Sequence, residues 1–172
     1  MTAPCPPLDA GGQDFYKRYS SPQAWIDWME QALAEAGRAE AAGEVPVGAL
    51  VLDSERRQLA AASNRPIAAN DPTAHAEVLA LRAAASRVGN YRLPGAILIC
   101  TLEPCLMCLG ALVQARVQGV VFATRDPRYG AVVSRFDCQK DLEWLNHRFW
   151  VVEGVLEEKS REMLQRFFAQ RR

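Results

Sequence analysis

Stretches in which apolar residues recur every three or four positions alternate with short, uniformly apolar stretches along this chain. The first kind predicts helices at residues 23–43, 73–87, 104–114 and 157–170. The second kind, together with a hairpin, predicts strands at residues 49–53, 58–63, 96–101, 119–124 and 149–153. Strands that alternate with helices indicate an α/β domain with a partly parallel sheet.

Local signals set the helix ends and the loops. Asp71 or Thr73 is predicted to cap the second helix, and Gly89 is predicted to end it. Pro104 is predicted to lie in the first turn of the third helix, where a proline is favoured. Two segments, 64–72 and 125–136, are predicted to be loops.

Length and composition fit a single domain. The chain has 172 residues, of which 49% are hydrophobic and 23% charged, as in an ordinary soluble globular protein. We predict one domain over residues 23–172 and a flexible N-terminal extension over residues 1–22. No apolar run approaches the ~20 residues that span a bilayer, and the first residues lack a secretory signal pattern. We therefore expect a cytoplasmic protein with no membrane partner.

The cysteines bear on the redox compartment, and the charge distribution bears on possible contacts with phosphates. Five cysteines without a paired spacing do not indicate a disulfide framework, which favours a reducing cytoplasm. The formal net charge is zero, but bases outnumber acids locally in residues 111–140 and from residue 161 onward. Such surpluses either attract a phosphate backbone or are ordinary solvated faces. Charge alone leaves both interpretations open.

The candidate chemistry lies in a split motif, His75-Ala76-Glu77 followed by Pro104-Cys105-Leu106-Met107-Cys108. It supplies three good zinc ligands, His75, Cys105 and Cys108. Three protein ligands leave a fourth coordination position open, as in catalytic zinc sites. Glu77 is then free to move the protons of a water that the zinc activates. The motif predicts hydrolytic chemistry at an electrophilic carbon.

The predicted helices make this spacing meaningful. His75 falls in the first turn of one helix, and the two cysteines fall in the first turn of another. Cysteines at i and i+3 share a helix face, so both sulfurs can reach one ion. A helix N-terminus carries partial positive charge, which favours the thiolate form that binds metals.

Two other interpretations remain open from the residues alone. A structural zinc site would need a fourth ligand, and Cys138 or His147 could supply it, although neither shows the paired spacing typical of such sites. A redox Cys-x-x-Cys pair would leave His75 and Glu77 without a role. Cys100 ends an apolar strand and is predicted to be a small core residue rather than a ligand.

His-Ala-Glu with Pro-Cys-x-x-Cys is the signature of the zinc-dependent cytidine, deoxycytidylate and nucleobase deaminases, which this chain resembles. Within them it is similar to the bacterial tRNA-specific adenosine deaminases. The segments that carry this similarity are 44–49, 64–66, 71–77, 90–93, 101–108, 146–148, 167–168 and 171–172.

The resemblance implies a fold, a reaction and an assembly. The fold would be the three-layer, cytidine-deaminase-like α/β fold, with a mixed five-stranded sheet flanked by helices. The reaction would be hydrolytic deamination of adenosine to inosine at the wobble position of a tRNA anticodon loop, through hydroxide activated by zinc, with Glu77 as proton shuttle. The enzyme would be a homodimer with one Zn²⁺ per subunit, held by His75, Cys105 and Cys108.

The resemblance also implies contacts with the substrate. The residues expected to bind the flipped nucleoside are Asn64, Ala76, Pro104 and Asp126. Unstacked bases of an anticodon loop are the usual targets of sequence-specific RNA readers. The residues expected to contact the RNA are Arg65, Arg125, Arg128, Arg171 and Arg172.

One segment departs from the family pattern. Val133 stands in the loop 126–137 where a small residue is usual, and a β-branched residue resists positive φ. This loop is therefore expected to follow its own path, which bears on the substrate more than on the reaction.

Three other functional interpretations remain open. A deaminase of free guanine, cytosine or cytidine is the first, although a free base gives a basic C-terminus nothing to bind. The deaminase domain of riboflavin synthesis has its second cysteine further on and is usually fused to a reductase. A non-enzymatic RNA-binding module with structural zinc would tolerate the loss of Glu77.

Overall fold

The computed structural model describes residues 22–135 and 145–171. The predicted N-terminal extension lies outside the described residues except for its last residue, as do Cys5, Cys138 and Arg172. The domain prediction for residues 1–22 therefore stays a prediction. Within the described part of the chain, no helix is both long and apolar enough to cross a membrane.

Five α-helices and five strands make up the described structure. A 3-10 turn at Pro22–Trp25 leads into the first of the helices, which are α1 (Ile26–Ala41), α2 (Pro66–Ala69), α3 (Ala76–Val88), α4 (Leu106–Ala115) and α5 (Glu157–Ala169). The strands are β1 (Gly48–Leu52), β2 (Gln58–Ser63), β3 (Ile97–Leu102), β4 (Gly119–Thr124) and β5 (Trp150–Glu153).

The strands form one mixed sheet in the order β2-β1-β3-β4-β5. Strand β1 is antiparallel to both of its neighbours, whereas β3, β4 and β5 are parallel. The hairpin makes β1 and β2 antiparallel, and α4 connects the parallel strands β3 and β4, because parallel strands need a long connection. The predicted mixed five-stranded sheet is confirmed.

Helices cover both faces of the sheet, so the fold has three layers. Alternate residues of β1 and β3 point to opposite faces: Val51 and Leu98 pack with α3 and α4, and Leu50 and Ile99 pack with α1. The segment that leads into α5 also packs on the α1 face. Each of the two helical layers thus buries one apolar face of the sheet.

Two local predictions were wrong. The segment predicted to be a loop contains the single-turn helix α2, which begins with a proline and whose Ala68 N–H donates to Glu44 Oε1 (2.7 Å). Helix α3 begins at Ala76 rather than at residue 73. Asp71 Oδ1 instead accepts hydrogen bonds from the N–H and hydroxyl of Thr73, so it closes a turn ahead of the helix.

Candidate active site

Two helix N-termini meet at the carboxyl end of β3. His75 is the N-cap of α3 and Cys105 is the N-cap of α4, and both have extended backbone angles. Cys108 lies in the first turn of α4 and is buried. The sequence placed His75 and Cys105 inside the first helical turn, and each lies one residue before it. An extended N-cap turns its side chain across the helix end, where these three side chains converge.

The three ligand atoms form a nearly equal-sided triangle. The two cysteine sulfurs are 3.6 Å apart, and His75 Nδ1 lies 3.7 Å from Cys105 Sγ and 3.6 Å from Cys108 Sγ. Tetrahedral zinc, with Zn–S near 2.3 Å and Zn–N near 2.0–2.1 Å, would place its ligand atoms about 3.6–3.8 Å apart. The side chains present therefore fit a zinc ion. In residues 22–135 and 145–171 this is the one cluster of His, Cys, Asp or Glu groups with a geometry suited to a metal.

The electrostatics of the triangle favour a bound cation. Hydrogen bonds with Cys108 and His75 lower the pKa of Cys105 to about 4, which makes it a thiolate at neutral pH. The hydrogen bond to Cys105, together with burial, raises the pKa of Cys108. The hydrogen bond with Cys105 also raises the pKa of His75. The three groups thus share protons that a divalent metal would displace.

Glu77 lies beside this triangle without belonging to it. Its side chain is 4% exposed, in the first turn of α3, and it interacts with the side chain of Cys108. Burial raises the pKa of Glu77. A buried carboxyl that borders a metal cluster without being one of its ligands has the position of a general acid and base.

The residues expected to bind the nucleoside lie around the triangle. Asn64 is buried directly after β2, and its N–H donates to Val47 O (2.9 Å). The N–H of Arg65 donates to Ala74 O (3.1 Å), which holds this segment against the residues that precede His75. Ala76 and Pro104 are both buried, each next to one metal-ligand candidate in the chain.

The loop after β4 closes another side of the site. Gly130 forms an isolated antiparallel bridge with Cys105, and the N–H of Ala131 donates to Pro104 O (2.9 Å). Asp126 is partly buried, and its Oδ1 accepts hydrogen bonds from the N–H groups of Arg128 (2.9 Å) and Tyr129 (3.2 Å).

Val133, the residue that departs from the family pattern, does not have a positive φ. Its N–H donates to Glu103 Oε1 (2.7 Å), and the same carboxylate binds other groups of the loop. Burial alone would raise the pKa of Glu103, but the hydrogen bonds from Ser134, Val133 and Asp126 outweigh it and hold the pKa below its ordinary value. Sequence reasoning missed Glu103. An acid between a buried strand and a Pro-Cys pair was the available signal.

The arginines expected to contact RNA have different surroundings. Arg125 makes a two-pronged ion pair with Glu153 (2.7 and 2.6 Å). The guanidinium of Arg171 lies 3.7 Å from the centre of the Phe167 ring and donates to Gly43 O (3.2 Å). Arg65 and Arg128 are exposed.

The other histidine and the third described cysteine lie outside the site. His147 Nε2 is 2.6 Å from Val117 O and is not part of the metal-binding cluster. Cys100 is fully buried and its thiol donates to Val121 O (3.8 Å), which confirms it as a core residue. Burial raises the pKa of this thiol well above its ordinary value, so it stays protonated.

A family model for the cytidine and deoxycytidylate deaminase zinc-binding region matches residues 23–124. The chain belongs to this family. The predicted family, the α/β fold and the zinc cofactor are thereby confirmed, and the protein is a zinc-dependent deaminase.

The chain is also similar to individual deaminases of known activity or structure. A tRNA-specific adenosine deaminase of Haemophilus influenzae is 44% identical over 144 residues, which cover 84% of this chain and 83% of the relative. A structure from studies of A-to-I editing by tRNA:A34 deaminases at the wobble position has a TM-score of 0.74 and 42% identity, over 79% of this chain and 97% of the other. A guanine deaminase from Nitrosomonas europaea has a TM-score of 0.70 and 27% identity, with 82% of each chain covered.

Proposed function

We propose that this protein deaminates adenosine to inosine at the wobble position of a tRNA anticodon loop. The observation that carries the chemistry is the triangle of His75 Nδ1, Cys105 Sγ and Cys108 Sγ, with the buried Glu77 beside it. The observation that favours this substrate is the 44% identity, over most of both chains, to a tRNA-specific adenosine deaminase.

His75, Cys105 and Cys108 hold the zinc, one ion per subunit. When bound, zinc supplies Lewis-acid chemistry that turns water into a nucleophile at neutral pH. Glu77 takes the proton of the attacking water and delivers protons to N1 of adenine and to the departing amine. The C6–N bond breaks, and adenosine and water become inosine and ammonia. Burial suits Glu77 to this task, because its raised pKa lets it both accept and return a proton.

The nucleoside is held by groups that converge from four segments. Asn64 offers a side-chain amide at the end of β2, and Ala76 and Pro104 present buried surface on either side of the metal ligands. Asp126 binds from the loop after β4, where one oxygen orders the loop and the second would accept a hydrogen bond from a substrate hydroxyl. An unstacked anticodon base can reach these groups, whereas a paired base cannot.

Basic residues hold the RNA backbone in this proposal. Arg65 and Arg128 are exposed on segments that border the site, and they reach phosphates directly. Arg125 is paired with Glu153, and Arg171 donates to Gly43 O. Each arginine would either keep this partner when it contacts RNA or exchange it for a phosphate. Arg172, outside the described residues, extends the same basic terminus.

We also propose that the enzyme is a homodimer in the cytoplasm. A reducing compartment suits a chain whose described cysteines are all free thiols. Light scattering on the purified protein tests the dimer. A mass of one chain at micromolar concentration contradicts it.

The deciding experiment incubates the zinc-loaded protein with tRNA transcripts that carry adenosine or guanosine at the wobble position, and with free adenosine, cytidine, cytosine and guanine. Inosine is expected only in the transcript with the wobble adenosine. Turnover of a free base, with the tRNA unchanged, rejects the proposal. Guanine is the most pertinent free base, because the Nitrosomonas europaea guanine deaminase has a similar fold.

A further inference from the structure

Glu103 is a buried acid that is not a member of the metal-binding cluster. It lies between the end of β3 and Pro104, and its side chain is 2% exposed. Its backbone N–H donates to Thr124 O (2.9 Å), which fixes it to the end of β4. Burying a carboxylate is costly unless hydrogen bonds compensate it, so its partners indicate what it does.

Among the described residues, the hydrogen bonds that this carboxylate accepts all come from residues 126–134, which we call the site loop. Oε1 accepts from the N–H groups of Val132 (3.1 Å), Val133 (2.7 Å) and Ser134 (2.8 Å). Oε2 accepts from the N–H of Asp126 (3.0 Å) and from the hydroxyl of Ser134. One side chain thus joins the first and last residues of the site loop.

The loop lies too close to Glu103 for any side chain at one position. A Cβ on Gly130 would lie 2.3 Å from Glu103 Cδ and Oε2, and 2.6 Å from Asp126 O. The bridge from Gly130 to Cys105 also starts at this point. The carboxylate therefore fixes the loop to the segment that carries the metal ligands.

A basic and an aromatic side chain of the site loop are exposed in the described part of the chain. Arg128 is exposed, and the Tyr129 side chain is 73% exposed. Asp126 is partly buried at the start of the loop. Exposed aromatic and arginine side chains on a fixed backbone are suited to stack on unpaired bases and to contact phosphates.

We propose that Glu103 is a positioning residue for RNA: it holds the site loop so that Asp126, Arg128 and Tyr129 meet the nucleotides at and next to the target adenosine. This inference rests on the proposed function. Glu103 acts through the loop and touches neither the metal ligands' sulfur and nitrogen atoms nor the reacting carbon. Its loss is therefore expected to weaken RNA binding more than it slows the chemical step.

The test uses Glu103→Gln. The amide has nearly the size of the carboxylate, but its NH₂ group cannot accept hydrogen bonds from the N–H groups of the site loop. Glu40→Gln is the matched control. It makes the same change at a carboxylate that pairs with Arg166 on the opposite side of the sheet. Single-turnover deamination of an anticodon stem-loop at increasing enzyme concentration separates the half-saturating concentration from the maximal rate.

For Glu103→Gln we expect the half-saturating concentration to rise roughly tenfold, the size of effect typical for a lost set of charged hydrogen bonds. The maximal rate should stay within about threefold and the zinc content should be unchanged. A fall in the maximal rate at constant half-saturation overturns the inference, as does loss of zinc. Glu40→Gln should match the wild type in both parameters.

Amide hydrogen exchange tests the same contact without a substrate. In Glu103→Gln the amides of Val132, Val133 and Ser134 should exchange faster, with the helices unchanged. Unchanged protection overturns the inference. If the wild type leaves tRNA unmodified, the proposed function fails, whereas the exchange result still decides whether Glu103 holds the loop.

Ser134→Ala removes only the hydroxyl donor. It should shift the exchange rates and the half-saturating concentration in the same direction by a smaller factor. No shift in this variant also counts against the inference.

Discussion

The carbonyl oxygen of Ala32 lies 2.1 Å from the place where a Cβ on Gly48 would be. Helix α1 therefore contacts the backbone of β1 directly, and the absence of a side chain at Gly48 allows this approach. The N–H of Gly48 also donates to Thr101 Oγ1 (3.1 Å), which fixes β1 to β3.

Gly48→Ala should destabilise the protein by about 1–3 kcal/mol, because the two nearest atoms belong to the backbone of α1 and cannot move aside easily. Denaturant unfolding measures the change. Gly37→Ala on α1 is the control, since a Cβ there meets nothing within 4 Å. It should stabilise the helix by roughly 0.5–1 kcal/mol. Equal effects of the two substitutions would contradict this packing.

Glu77→Gln should keep its zinc and lose about 10²–10⁴-fold in the rate of deamination, the range typical for a general acid–base group. The amide has nearly the shape of the carboxyl but cannot accept and return a proton. Zinc analysis and single-turnover kinetics on one preparation measure both effects. A variant with wild-type rate would show that another group moves the protons.

Cys108→Ala should lose its metal, because only two of the three converging ligands remain. Cys100→Ala is the matched control: it also removes a buried thiol, but one that donates to Val121 O in the core. The control should keep one zinc per chain. Metal analysis after dialysis distinguishes the two, and zinc retained in Cys108→Ala would refute the proposed ligand set.

Arg128→Ala should weaken tRNA binding and reduce the slope of log K against log salt by about 0.7–1, because one phosphate contact releases its counterion. Arg38→Ala removes an exposed arginine that pairs with Glu35 on α1, and it should leave the slope unchanged. Binding titrations at several salt concentrations compare the two variants. Identical slopes would exclude Arg128 as a phosphate contact.

The sequence pointed to the three side chains that converge in the candidate metal cluster, and to the sheet, because their signals are local. His75 and Glu77 are two residues apart, and Cys105 and Cys108 are three apart, so the chemistry can be recognised without knowing the fold. The strands are short apolar runs, and their alternation with helices restricts the possible topologies.

Other features depend on contacts between distant residues, and the partners in those contacts cannot be read from the local sequence. Glu103 binds backbone amides 23 to 31 residues further along the chain, and backbone amides have no sequence signature. Helix α2 was missed for the same reason, since the Glu44 carboxylate that binds its Ala68 N–H lies 24 residues away. The left-handed residues Asn70 and Arg116 end α2 and α4 where no glycine signals a stop.

The placement of the ligands at two helix ends has a mechanical consequence. His75 and Cys105 are 30 residues apart in the chain, so a metal ion between them closes a long loop that contains α3 and β3. Closing a loop of this length removes conformational entropy from the unfolded chain worth on the order of 3 to 4 kcal/mol, as a covalent cross-link would. The ion that enables the reaction thus also cross-links the ends of the segment that contains α3 and the central strand β3. A strong chelator would therefore destabilise the domain as well as stop its chemistry.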